Sequence, residues 1–256
     1  MSPQCRQWVV GIAAAAMCGL SGCITTSDTL GKKDNAAAAE ANMQLGINAM
    51  QLNNMSEAKA KIDRALAQDS RNAAVHYVAG ILYARINEVS KADGFYSAAI
   101  SLEPQNADYT NGYAVFLCAH RNYAKGEKLA VKAADNPLYK SPQMALFNAG
   151  NCALDDGRPA KAEEYYRRAL TMDPKFARAL FQLADLELKS TNYLSARGFL
   201  ERYHQYAPTT SASLWLGVRI ERGLGNTGVA QNYARRLKEE FSGSDETKAL
   251  LNLDRQ

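Results

Sequence analysis

The stretch from Ala79 to Pro104, "AGILYARINEVSKADGFYSAAISLEP", decides the fold because its small, aromatic and proline positions return along the chain. Within it, Gly80 and Ala92 are small, Tyr96 is aromatic, and Pro104 closes the stretch. Small residues equivalent to Ala92 recur at intervals of 34, 34, 36, 34 and 34 residues: Ala58, Ala92, Gly126, Ala162, Ala196 and Ala230. A second column matches Gly80: Gly46, Gly80, Ala114, Gly150 and Ala184. Such a period predicts a stack of similar structural units.

Each period contains two helical segments joined by a polar turn, such as Asn87-Glu88. Small residues are expected where two helix backbones approach closely, and a proline after the second segment ends that helix. No run alternates apolar and polar residues with the period of two that is typical of a strand. The pattern resembles the tetratricopeptide repeat, a pair of antiparallel helices about 34 residues long. The resemblance implies an all-α fold, a right-handed α-solenoid of six tetratricopeptide repeats.

The period also predicts the domain boundaries. The repeats occupy residues 39–244 and begin near residues 39, 73, 107, 143, 177 and 211. The third holds two extra residues around the "NPLYKSP" stretch, where two prolines favour a rigid bend. Residues 245–256 form a C-terminal capping segment that covers the last repeat.

The N-terminal region indicates export. Residues 8–20, "WVVGIAAAAMCGL", carry no charge. They are too short to span about 30 Å of hydrocarbon, but they fit the core of a secretory signal peptide. The following Leu20-Ser21-Gly22-Cys23 resembles the lipobox of bacterial lipoproteins. We therefore predict a signal peptide at residues 1–22 and lipidation of Cys23. The alternative is an ordinary signal peptide that happens to contain a cysteine.

The residues after Cys23 indicate where the protein resides. By resemblance to enterobacterial lipoproteins, Ile24 in place of an aspartate favours an outer-membrane location, lipid-anchored and facing the periplasm. Residues 23–38 are small and polar without apolar periodicity, which predicts a lipidated, flexible tether. Two cysteines remain in the mature chain, Cys118 and Cys152, an even number in an oxidising compartment. They are disulfide candidates, and two small buried thiols are the alternative.

Helical spacing predicts a row of side chains on the first helix of each repeat, which lines the inner face of such a solenoid. The row is mostly apolar or aromatic, as suits a groove for an extended or helical peptide. The alternative is that these side chains pack against the neighbouring helix. The predicted partner-binding groove contains Met43, Ile47, Met50, Tyr77, Ile81, Val115, Phe147, Leu154, Phe181, Leu188 and Trp215.

Composition and motifs argue against other classes of function. Lysine and arginine alternate with acidic residues, and the net charge is only +4, which disfavours nucleic-acid binding. The letters G-x-G-x-x-G at residues 223–228 lie in a helix-to-helix turn, not after a strand. The three histidines lie in different repeats, without metal-ligand spacing. No nucleophile, base and orienting group occur together. We therefore expect that the protein is not an enzyme and that it binds no cofactor, metal or small-molecule substrate.

Longer stretches point to a particular family. "NGYAVFLCAHRNYAKGEKL", "NPLYKSPQMALFNAGNCALDDG" and "SLWLGVRIERGLGNTGVAQNYARRLKEEF" are similar to the PilF/PilW family of type IV pilus biogenesis lipoproteins. The resemblance implies a pilotin, which helps secretin subunits form the outer-membrane ring through which the pilus passes. The resemblance assigns the lipidated cysteine to Cys23 and the cysteine pair to Cys118 and Cys152.

The first repeat departs from the family pattern by having Ala49 in place of an aromatic residue. We expect the apolar groove of repeats one and two to bind secretin subunits. The alternative is a lipoprotein adaptor of β-barrel assembly or of cell-wall enzymes.

Overall fold

The computed structural model describes residues 26–254, and within them it contains thirteen α-helices and no strand. The predicted signal peptide and Cys23 lie outside the described residues. The helices are α1 (Thr26–Gln51), α2 (Met55–Gln68), α3 (Ala73–Arg85), α4 (Val89–Leu102), α5 (Ala107–Ala119), α6 (Tyr123–Ala134), α7 (Pro142–Asp155), α8 (Pro159–Met172), α9 (Ala177–Lys189), α10 (Tyr193–Tyr206), α11 (Ser211–Gly223), α12 (Thr227–Glu240) and α13 (Asp245–Leu253).

The first twelve helices form six antiparallel pairs that stack in series. The first helix of each pair, here called helix A, contacts the second, helix B, most extensively, and helix B also contacts helix A of the next pair. The repeats therefore consist of α1–α2, α3–α4, α5–α6, α7–α8, α9–α10 and α11–α12. The predicted solenoid of tetratricopeptide repeats is confirmed.

In four of the six pairs, close contact depends on a glycine of helix A that faces a large side chain of helix B. A Cβ atom added at Gly80 would lie 2.9 Å from Cγ of Tyr96, and one added at Gly150 would lie 2.4 Å from Cε1 of Tyr166. Both tyrosines are at most 6 % exposed. The missing side chain thus makes room for a ring that fills the core between two helices.

Each turn between helix A and helix B uses one residue with positive φ. These residues recur with the period of the repeat: Asn53, Asn87, Arg121, Gly157, Thr191 and Gly225, with φ between 58° and 76°. The next backbone N–H then donates to a carbonyl oxygen five residues earlier, as Asn192 N does to Glu187 O at 2.8 Å. This left-handed residue ends helix A in a Schellman-type arrangement and reverses the chain.

The N-terminal part of α1 corrects the sequence-based interpretation. Residues 26–38 belong to the helix and not to a flexible tether. The sequence of this segment contains none of the recurring small and aromatic columns and has no apolar periodicity, so the pattern did not indicate a helix there. Its alanine-rich end, residues 36–39, has high helix propensity and continues directly into the paired part of α1.

The last helix, α13, covers the end of the stack. Ser244 caps it by accepting a hydrogen bond from the backbone N–H of Thr247. The Thr247 hydroxyl lies 2.8 Å from the carbonyl oxygen of Phe241, to which it donates. Leu250 is completely buried in a small core with Leu214 and Leu237. Helix α13 thereby covers apolar surface that a seventh repeat would otherwise bury.

Candidate partner-binding surface

The eleven residues predicted to line a groove all lie on helix A of a repeat, but their exposure differs. Four of them are at most 9 % exposed: Met43, Met50, Phe147 and Leu188. Six are half-buried: Ile47, Tyr77, Ile81, Leu154, Phe181 and Trp215. Val115 is 46 % exposed. The first four mainly pack between helices, as the alternative interpretation holds, and the other seven leave surface that a partner could contact.

Tyr77 shows how one of these side chains can pack between helices and still leave surface for a partner. Its ring stacks on Tyr109 with centroids 4.6 Å apart and meets the edge of Tyr96 at 5.7 Å. Its hydroxyl lies over Gly112 of the next helix A, where an added Cβ atom would be only 2.1 Å away. Burial raises the pKa of the Tyr77 hydroxyl. Tyr77 therefore joins repeats two and three while it remains partly exposed.

Repeats four to six form a concave site between α7, α9 and the start of α11. Its volume is about 350 Å³, and its walls are mainly apolar. The ring of Phe181 lies 5.5 Å from that of Tyr203, and Phe147 meets Phe176 edge-on at 5.6 Å. The lining residues are Phe147, Ala177, Arg178, Phe181, Gln182, Tyr203, Ala207, Thr210 and Ala212. Two residues that sequence placed in the groove, Phe147 and Phe181, are thus brought into one cavity, here called the Phe181 cavity.

The two cysteines of the mature chain meet between repeats three and four. Cys118 near the end of α5 lies against Cys152 of α7, with Cα atoms 5.3 Å apart and a sequence separation of 34. Both are at most 9 % exposed. A Cβ atom added at Gly126 of α6 would lie 2.4 Å from Sγ of Cys118, so the small-residue column makes room for the sulfur atoms.

Two buried carboxylates were not recognised from the sequence. Glu221 is 3 % exposed; both oxygens pair with the Arg197 guanidinium, and one also accepts from Asn226 Nδ2 at 3.0 Å. Glu187 is 7 % exposed; one oxygen accepts from Arg167 at 2.7 Å and the other from Asn192 Nδ2 at 3.0 Å. Such pairs tie helix B of one repeat to helix A of the next. The 34-residue interval from Glu187 to Glu221 was the available signal.

Neither a cluster of metal-ligating side chains nor a membrane-spanning helix occurs in the described part of the chain. Between residues 26 and 254, no three His, Cys, Asp or Glu side chains converge as metal ligands would. In the same range, no helix has both the length and the apolarity needed to cross a membrane. The surface offers apolar, aromatic and amide groups, which bind other polypeptides by shape and hydrogen bonding.

The stacked helix pairs, with a row of half-buried side chains along their A helices, are typical of a scaffold for protein–protein interaction. Sequence models described as tetratricopeptide repeat match residues 43–107 and 117–177 in one case and residues 153–216 in another. Together they cover more than half of the chain. The chain therefore belongs to the tetratricopeptide-repeat family.

Individual proteins similar to this chain point to a particular group of tetratricopeptide-repeat proteins. The chain is 28 % identical over 229 residues to the type IV pilus assembly protein PilF of Pseudomonas aeruginosa, a match that covers 88 % of this chain and 91 % of PilF. A solved structure of P. aeruginosa PilF superposes with a TM-score of 0.72 at 26 % identity, over 86 % of this chain and 99 % of that one. The structure of PilW, described as a widely conserved type IV pilus biogenesis factor, superposes with a TM-score of 0.72 at 28 % identity. The match covers 83 % of this chain and 98 % of PilW. The predicted similarity to PilF and PilW is confirmed.

Proposed function

We propose that this protein is a non-enzymatic scaffold of type IV pilus biogenesis. The observation that carries the proposal is the extent of the match, since PilF is aligned over nine-tenths of its length and shares the fold. A similarity to PilF limited to the 34-residue period would indicate a shared fold but not a shared function. Here it extends over 88 % of the chain, well beyond a few repeats.

The finer proposal is that the protein acts as a pilotin, an outer-membrane lipoprotein that faces the periplasm. The sequence Leu20 to Cys23 supports acylation, and three acyl chains at about 0.8 kcal/mol per buried methylene would anchor the chain stably. Helix α1 begins at Thr26, so only residues 24 and 25 separate it from Cys23. Residues 26–38 of α1 then separate acylated Cys23 from the start of the repeats by about 20 Å of helix.

The proposed contact with secretin subunits lies on helix A of repeats one and two. Met43 and Met50 are too buried to offer surface, but Ile47, Tyr77 and Ile81 are half-buried. Half-buried apolar side chains on adjacent helices can pack against an apolar segment of an unassembled secretin subunit. Binding removes that segment from water, which favours the contact.

The test uses the variant Ile47→Asp with Ile81→Asp in the lipidated protein, in cells that also carry the secretin. Each aspartate places a charge on the apolar contact, so we expect secretin co-purification and secretin multimers to fall to the level of a deletion strain. Leu52→Asp is the matched control, because Leu52 is apolar and 82 % exposed at a turn outside the groove.

Circular dichroism of both variants establishes that they fold. Normal multimers in the groove variant would refute this contact surface. Normal multimers in the deletion strain, or co-purification of a β-barrel assembly protein or a cell-wall enzyme instead, would refute the pilotin role. Mass spectrometry of the mature N-terminus tests the anchor, and an unmodified Cys23 would refute it.

We further propose that Cys118 and Cys152 form their disulfide after export. In the chain-entropy picture, closing a loop of 34 residues contributes about 3–4 kcal/mol to the free energy of unfolding. We expect dithiothreitol to lower the stability of the wild type and to leave the double variant Cys118→Ser/Cys152→Ser unchanged. Equal sensitivity of both proteins, or labelling of both thiols by maleimide in periplasmic extracts, would contradict the disulfide.

A further inference from the structure

We propose that the Phe181 cavity is a second docking site, which takes a partner segment with one bulky apolar side chain next to carboxylates. It lies in repeats four to six, away from the proposed secretin contact in repeats one and two. The inference therefore goes beyond the proposed function and does not depend on which protein binds the first surface.

The shape and walls of the cavity select an apolar anchor. A volume of about 350 Å³ is small for a ligand site, for which about 300–1,000 Å³ is usual, so it accommodates a side chain rather than a folded element. The rings of Phe147, Phe181 and Tyr203 and the methyl groups of three alanines line it. The Tyr203 hydroxyl is directed elsewhere, because it donates to the carbonyl oxygen of Pro208 at 3.3 Å. An aromatic or large aliphatic side chain would thus exchange water for apolar contacts.

The charges at the rim select carboxylates beside that anchor. Arg178 lies at the edge of the cavity and is exposed. Its only side-chain hydrogen bond among the described residues is to the sulfur of Met144, at 3.6 Å, and no described carboxylate lies within ion-pair distance of it. Lys175, in the loop before α9, is also exposed and has no described carboxylate partner. Its ammonium group lies 5.8 Å from the centre of the Tyr206 ring.

The nearby acidic groups do not cancel these cations. Asp185, one turn beyond Phe181 on α9, pairs with Lys189 at 2.6 Å. Asp173 accepts a hydrogen bond from the backbone N–H of Lys175 at 3.0 Å and so fixes the loop that carries that lysine. The Gln182 amide makes no hydrogen bond to any described residue, and it is free to bind the backbone of an incoming segment. The rim therefore presents positive charge and the Gln182 amide beside an apolar cavity.

The probe is a short, fluorescein-labelled synthetic peptide with one phenylalanine flanked by glutamates. Fluorescence anisotropy is measured against the full mature protein at low salt. We expect saturable binding, weakened at least about tenfold by Ala212→Trp, which fills the cavity without deleting a wall, and to a similar extent by Arg178→Glu. A peptide with lysines in place of the glutamates is expected to bind the wild type weakly and Arg178→Glu more tightly.

The controls separate this site from the proposed secretin surface. Ile47→Asp/Ile81→Asp is expected to bind the peptide like the wild type, so a failed secretin experiment leaves this result unaffected. Circular dichroism establishes that Ala212→Trp folds. The proposal is overturned if the probe does not bind, if Ala212→Trp binds as tightly as the wild type, or if a serine-flanked peptide matches the acidic one. A concentration-dependent dimer abolished by Ala212→Trp would assign the cavity to a second copy of this chain instead.

Discussion

At the scale of single residues, the fold depends on how closely two helices can approach. Gly150 illustrates this, because the space where its Cβ would lie is occupied by the ring of Tyr166, a fully buried side chain whose hydroxyl donates to Asn151 Oδ1 at 2.8 Å. The ring is held at both ends and cannot move aside without breaking that hydrogen bond or disturbing its neighbours.

We therefore expect Gly150→Ala to lower the free energy of unfolding by about 1–3 kcal/mol, as overpacked cores do. Gly198→Ala is the matched control, since Gly198 lies inside α10 with no atom within 4 Å of an added Cβ. There, alanine should raise stability by about 0.5–1 kcal/mol through helix propensity. Urea unfolding followed by circular dichroism measures both, and a stabilised Gly150→Ala would show that the helix pair is looser than the structure indicates.

The six positive-φ turns make a second prediction at this scale. Thr191 has φ of 59°, a conformation that is unfavourable for a β-branched residue, whereas Asn87 occupies the equivalent place at 61°. Replacing Thr191 by asparagine should raise the free energy of unfolding by roughly 0.5–1 kcal/mol, and Asn87→Thr should lower it by a similar amount. Thermal unfolding of the two variants checks the opposite signs, and shifts in the same direction would exclude backbone strain as the cause.

At the scale of helices, polar bonds between neighbouring repeats add specificity to the apolar core. Glu127 of α6 is a clear case, with its side chain only 14 % exposed. One oxygen accepts from Arg158 at 2.5 Å and the other from the Tyr165 hydroxyl at 2.5 Å. Burial acts to raise the pKa of Glu127, but the hydrogen bonds from Arg158 and Tyr165 outweigh it, and the net pKa is lowered.

A carboxylate whose pKa is lowered on folding stabilises the protein above its unfolded pKa, and this contribution is lost as the pH falls through the folded value. Glu127→Gln should therefore cost about 1.5–3 kcal/mol at pH 7, the usual contribution of a hydrogen bond to a charged group. The difference from the wild type should shrink steadily below about pH 4. Urea unfolding across this pH range measures it, and a difference that is constant with pH would rule out the ionised carboxylate as its source.

The helices also show what the sequence could predict and what it could not. The recurring small residues placed the start of α3, α5, α9 and α11 at residues 73, 107, 177 and 211, because each position is set by contact with a neighbouring repeat. The first half of α1 carries none of the recurring small and aromatic residues, so periodicity did not indicate a helix there, and it was interpreted as a tether. Likewise, spacing placed Met43 on the correct helix but could not show that it is 6 % exposed.

At the scale of the whole molecule, the solenoid has cores linked in series and no single central core. Apolar contacts run from repeat one into repeat three, from repeat three into repeat six, and from repeat six to α13. Each repeat then contributes its own stability and that of its interfaces with its neighbours. A defect at one end should accordingly remain near that end, which a globular domain of this size would not allow.

Leu250→Ala tests this arrangement, because Leu250 is completely buried where α13 covers α11 and α12. Removing its side chain should destabilise the end of the stack by about 2–5 kcal/mol, the usual cost of truncating a buried leucine. Amide hydrogen exchange should then accelerate in α12 and α13, while α3 and α4, four repeats away, keep their wild-type protection. Leu251→Ala, on the same helix but 41 % exposed, is the control and should leave both regions unchanged. If exchange in α3 and α4 accelerated as much as in α12, the six repeats would unfold as one unit, and the partner surfaces at the two ends of the solenoid would not be independent of each other.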